Sequence, residues 1–107
     1  MANNYKNAKL DLTSTNATVL YTAPGATTSL VKSILVSEDT GNADTITVTI
    51  TDASAAVFSL FKVKAVGANT TVELLTEPLV VQENEILTLT AATANRLHVV
   101  ASLLEIN

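Results

Sequence analysis

Cysteine is absent from the chain, which removes disulfides, thiolate metal sites and cysteine nucleophiles together and leaves the compartment open. Tryptophan is absent and aromatics make up only 4% of the 107 residues. A core must therefore be built from Val, Leu, Ile and Ala, and no aromatic platforms are at hand for stacking a base or a sugar ring. Charged residues are scarce at 15%, below the roughly 25% of ordinary soluble domains. The six basic residues, Lys6, Lys9, Lys32, Lys62, Lys64 and Arg96, are scattered in a chain of net charge −4. No basic stripe exists to neutralise phosphates, so no nucleic-acid partner is expected. No apolar run approaches the roughly 18 residues of a membrane span, so no membrane is expected either. The opening Met1 to Asn7 lacks an apolar h-region, and no secretory signal is expected. The sequons Asn16-Ala17-Thr18 and Asn69-Thr70-Thr71 are accordingly read as chance matches.

What the chain has in excess is threonine, about one residue in six. Thr45, Thr47, Thr49 and Thr51 alternate with Ile46, Val48 and Ile50, the period of a β-strand with one face in a core and one in water. Threonine is stiff at χ1 and slightly poor in helices, which points the same way. Similar grammar recurs over 10–12, 18–22, 30–37, 57–66, 72–75, 79–81, 86–91 and 96–106, with turn residues about every ten positions. The expectation is a single all-β domain over 10–107, an antiparallel β-sandwich or jelly-roll-like barrel of eight to nine short strands. Residues 1–9, polar and Asn-rich, read as a loose N-terminal arm. Pro24-Gly25 has the residues of a type II turn, with positive φ expected at Gly25. Pro78 restricts Leu79–Val81 to a sheet edge or a strand start.

Three strands are apolar on both faces. Leu30, Ile34 and Val36 oppose Val31 and Leu35. Ala56, Phe58 and Leu60 oppose Val57 and Phe61. Leu97, Val99, Ala101 and Leu103 oppose Val100, Leu104 and Ile106. Either a bulge shifts the phase of such a strand, or a second subunit covers its other face. The second explanation predicts a homo-oligomer, a trimer or larger ring, or packing on a host lattice. Its candidate interface residues are Tyr5, Lys6, Leu10, Val100, Leu104 and Ile106.

Residues with chemistry are few. His98, the one histidine, lies between Leu97 and Val99 with no nucleophile-elbow motif, and reads as a strand histidine. Zinc needs several His or Cys ligands. Glu38, Asp39, Asn42 and Asp44 surround Gly41 in an oxygen-rich loop of the kind that can bind calcium, but the spacing is not that of an EF-hand and an ordinary hairpin loop uses the same residues. Glu83 and Glu85 are paired carboxylates without a sugar platform. No catalytic residue, metal or cofactor is expected.

Several stretches together resemble the small β-sandwich structural proteins of tailed bacteriophages. They are Tyr5-Lys6-Asn7-Ala8, Leu20 to Thr28, Leu30-Val31-Lys32-Ser33-Ile34 and Ser102-Leu103-Leu104-Glu105-Ile106. These are strand and turn patterns, and no functional residue carries over with them. The resemblance implies a virion component without enzymatic activity whose partners are the major capsid protein or other virion proteins. It would be a capsid decoration (cement) protein or, alternatively, a neck, tail or fibre subunit. A carbohydrate- or receptor-binding module is the more distant alternative.

Overall fold

In the threonine strand the side chains sort as the alternation requires: Ile46 and Val48 are fully buried and Thr45, Thr47 and Thr49 face outward. A computed structural model describes residues 2–107, which form nine strands and no helix. The strands are β1 (Asn3–Leu12), β2 (Thr18–Thr22), β3 (Thr28–Glu38), β4 (Asp44–Thr51), β5 (Val57–Val66), β6 (Thr71–Glu73), β7 (Leu79–Val81), β8 (Ile86–Ala91) and β9 (Leu97–Ile106). Every pairing is antiparallel. A five-stranded sheet runs β1-β9-β3-β6, with β7 pairing the other end of the same β3 border, and a four-stranded sheet runs β2-β8-β4-β5. The two sheets stack as a β-sandwich around aliphatic side chains, among them Val31, Ile34, Val36, Val48, Leu87, Leu89, Leu97 and Val99. Burying each such Leu or Ile contributes roughly 2–3 kcal/mol before entropy, so a core without aromatics still closes the domain.

The first strand corrects the expected arm. Asn3 to Lys9 do not hang free but form the front of β1, which pairs residue for residue with β9 from Asn3↔Ile106 to Leu12↔Leu97. Asparagine is a poor strand former in isolation. Ten successive pairs with a long central strand override that preference. Met1, the first residue of the expected arm, lies outside the described residues.

Bulges explain most of the doubled apolar faces. The β3–β9 register shifts between Val31 and Ser33, so Lys32 is the extra residue and the inward set changes phase there. Val31, Ile34 and Val36 all face the core, while Leu30 and Leu35 face out. Leu30 therefore does not share a face with Ile34. β5 shifts twice against β4, near Leu60 and near Lys62-Val63. β9 alternates without interruption, so Leu97, Val99, Ala101 and Leu103 are core and Val100, Leu104 and Ile106 are outward, as the sequence indicates.

Positive φ also falls elsewhere than expected: Ala26 (57°), and not Gly25, takes the left-handed position after Pro24. Glu83 braces this turn by accepting from the Ala26 N–H. Val63 takes φ 53° at the second β5 bulge, its N–H donating to Thr47 Oγ1 at 3.1 Å. A β-branched residue in that region is under real steric strain. Its side chain is mostly exposed and little packing is at stake. Val63→Gly is expected to stabilise the fold by about 1 kcal/mol, readable as a rise of about 4 °C in melting temperature.

Candidate functional site

The five-stranded sheet presents an outer face whose composition follows from its register. On β1 the odd-numbered residues lie outward and the even-numbered ones inward, since Leu10 and Leu12 pack on the core. Following partners across the sheet gives successive rows. The first is Asn3–Ile106–Thr28, the second Tyr5–Leu104–Leu30–Val80, and the third Asn7–Ser102–Ser33. The fourth is Lys9–Val100–Leu35–Glu73 and the fifth Asp11–His98–Ser37–Thr71. The second row is apolar from one border of the sheet to the other, and Ile106 adjoins it one pleat along β9. Tyr5 and Val80 at its ends are 76% and 51% exposed. Lys32, extruded at the β3 bulge, holds its Nζ 5.8 Å from the centre of the Tyr5 ring, within cation–π range. Beside it lies a shallow hollow of about 420 Å³ bounded by Tyr5, Lys6, Asn7, Lys32, Ser102 and Leu103.

Of the six candidate interface residues, Tyr5, Leu104 and Ile106 come together in this band, and Val100 lies two rows away. Lys6 and Leu10 do not join them, because their even positions turn them to the opposite side of the sheet. Lys6 Nζ pairs with Glu105 Oε1 at 3.0 Å, and Leu10 is half-buried against the core. Leu30 and Val80 belong to the band but escaped sequence reading, the first because of the Lys32 bulge and the second because a three-residue strand carries no periodicity.

The far end of the face is polar. His98 Nε2 lies 3.3 Å from Asp11 Oδ1 and its Nδ1 3.7 Å from Asp39 Oδ2. All three groups are well exposed. The face thus grades from an apolar end carrying lysine to an acidic end around His98, which would orient anything that docks on it.

No protein-family model matches this sequence, and no curated protein matches it.

Glu38, Asp44 and Glu85 of the acidic loops are engaged by backbone N–H groups. Glu38 is buried, and its Oε1 accepts from the backbone N–H groups of Gly41, Asn42 and Asn69 at 3.0–3.2 Å. Its Oε2 accepts from the Thr40 N–H at 2.9 Å and from the Thr40 hydroxyl. Burial pushes this carboxyl up, but the Thr40 hydroxyl and the surrounding N–H groups outweigh that and hold its pKa at about 2. Gly41, at φ 83°, lets the loop curl round the carboxylate. Asp44 Oδ2 accepts from the Thr93 N–H at 3.1 Å, and Glu85 Oε1 from the Gln82 N–H at 2.7 Å. Among the described residues no group of three His, Cys, Asp or Glu side chains is placed to hold a metal ion.

Sequence reasoning also missed a cluster between the sheets. Tyr21 of β2 donates its hydroxyl proton to Glu105 Oε2 at 2.5 Å and meets the Ser29 hydroxyl at 2.5 Å. Its signal was present: Glu105 continues the inward phase of Leu97, Val99, Ala101 and Leu103, and a charge in a core phase demands partners. A cleft of about 400 Å³ opens between β5 and the β6–β7 border, lined by Phe61, Pro78 and several leucines together with the polar Lys64, Glu73, Thr76 and Glu77.

Proposed function

We propose that this protein is a non-enzymatic virion structural protein of a tailed bacteriophage, a capsid decoration (cement) protein that adheres to the head lattice. The observation that carries the reading is the band Tyr5–Leu104–Leu30–Val80, the row of this face that is apolar from one border to the other. A free domain gains nothing from that band, and a surface poor in charge is better kept from self-association when it is covered. The resemblance to small phage β-sandwich proteins supplies the kind of neighbour. Repetition supplies the affinity: modest contacts made at many lattice positions add through effective concentration.

The test is particle occupancy. Native particles should carry the protein at hundreds of copies by quantitative mass spectrometry. Leu104→Asp puts a charge in the centre of the band, on a side chain that is not core. It is expected to leave the fold intact and to lower affinity for stripped particles on the order of tenfold or more. Unchanged occupancy would remove the band as the contact surface. About a dozen copies per particle would move the protein to the neck or tail.

A further inference from the structure

Four borders flank the two sheets, and three are blunted. β5 carries two register shifts, a strained valine and two exposed lysines. β2 has five residues and a shift between Val19 and Tyr21. β6 and β7 have three residues each, with Pro78 just before β7. These are the devices that keep a sheet border from pairing with another chain. β1 has neither shortness, proline nor a bulge: it is ten residues long and keeps its register against β9 throughout, with Lys6, Lys9 and Asp11 as its only charges.

The phase of its backbone is fixed by the bonds between Ala2 and Asn107, which exchange N–H···O contacts of 2.8 and 3.0 Å. Even-numbered residues of β1 therefore bond to β9, as the Leu12 carbonyl accepting from Asn95 confirms at the other end. In a regular antiparallel ladder the alternate residues point the other way. The N–H and C=O groups of Asn3, Tyr5, Asn7 and Lys9 thus face away from β9 along the border. Among the described residues, no turn, loop or side-chain hydrogen bond ends on them. Asn3 to Asn7 are all exposed.

We infer that β1 pairs antiparallel with β1 of a second copy about a two-fold axis through Asn7, joining two five-stranded sheets into one. The outward backbone groups all belong to odd residues. A two-fold axis normal to the sheet pairs odd with odd and keeps both outer faces on the same side. Centring on Asn7, near the strand midpoint, sets Asn7 against its own copy, Tyr5 against the second copy's Lys9 and Asn3 against its Asp11. On the inner side Lys6 meets Ala8. No like charges oppose, and Tyr5 gains a second cation. Centring on Lys6 or Lys9 would instead set lysine on lysine. The arrangement provides about six backbone hydrogen bonds over Tyr5 to Lys9, and it is two-fold, not the ring that the sequence suggested. It also aligns the Tyr5–Leu104 row of one copy with the Lys9–Val100–Leu35 row of the other. The pairing holds whatever the outer face binds, so particle assays do not bear on it.

Sedimentation of the isolated protein tests it. The wild type at tens of micromolar should have twice the 11.2 kDa chain mass. Asn7→Pro removes only an outward-facing N–H, which proline tolerates at a border, and Asn7→Lys puts like charges on the axis without touching the backbone. Each should weaken the dimer on the order of tenfold or more, with the melting temperature of dilute protein unchanged for Asn7→Lys. In a chain without cysteine, Asn7→Cys should give a single cross-linked dimer on oxidation. A wild type that stays monomeric, or a dimer that Asn7→Lys leaves intact, overturns the inference. So does a monomer that accepts an extended strand of a different protein on β1.

Discussion

Replacing Glu38 with alanine is expected to lower the melting temperature on the order of 10 °C or more, because several backbone donors lose a charged acceptor at one stroke. The carboxylate binds Thr40, Gly41 and Asn42 of the β3–β4 loop together with Asn69 of the β5–β6 turn. Its loss therefore loosens two connections on the same end of the sandwich. Glu38→Gln should fare no better than alanine, since its amide would turn N–H groups toward N–H donors. A glutamine variant melting like the wild type would show that shape, not charge, holds the loop. Acid gives the same test without mutation. The folded pKa of about 2 lies below the ordinary 4.5, so the stabilisation is fully present above the unfolded value. It is lost as pH falls from about 4.5 towards 2. The carboxyls of Glu73 and Glu105 are also held low, so they add to the same acid limb. Burial pushes Glu73 up, but the Ser33 hydroxyl and the N–H groups of Ile34 and Leu75 prevail, and the Tyr21 hydroxyl leads for Glu105. Melting temperatures of wild type and Glu38→Ala should therefore converge as pH is lowered through this range.

The architecture was legible because alternation needs only local information. Thr45 to Thr51, Ile86 to Ala91 and Leu97 to Leu103 each show which side chains face the core without reference to any partner strand. What was not legible depends on pairing. The bulge at Lys32 exists only in relation to β9, and it hid Leu30 in the wrong set. The opening residues look unstructured by composition, and become a strand because β9 offers an unbroken ladder to pair with. The acidic loop was recognisable as a cluster of oxygen ligands, but its occupant turned out to be its own backbone. Of the outer-face band, Tyr5, Leu104 and Ile106 were accessible to sequence reasoning because β1 and β9 are regular. Lys6 lies on the other side of the sheet from that band, since one step in register decides which side a residue joins.

Tyr21→Phe is the sharper probe of the interior, expected to cost about 2 kcal/mol, or roughly 10 °C in melting temperature, although it deletes a single oxygen. The Tyr21 hydroxyl is pushed up to about 12 by burial and by the neighbouring Glu105, so it remains a donor at any ordinary pH. Without it, one carboxylate oxygen of the buried Glu105 loses its donor between the sheets, while Lys6 holds the other at 3.0 Å. The opposite change behaves differently. Glu105→Leu leaves the Tyr21 and Ser29 hydroxyls to bond each other, and frees Lys6, which is already half in water, so its cost should stay within about 1 kcal/mol. The double variant Tyr21→Phe/Glu105→Leu should then recover most of what Tyr21→Phe loses, a coupling of about 1 kcal/mol or more in denaturant titrations. Additive losses would mean that the tyrosine ring's packing, and not the proton it gives to Glu105, ties β2 to the five-stranded sheet. With recovery, the buried charge is what makes that hydroxyl indispensable, because the donor must sit where an otherwise apolar inward phase ends in a carboxylate.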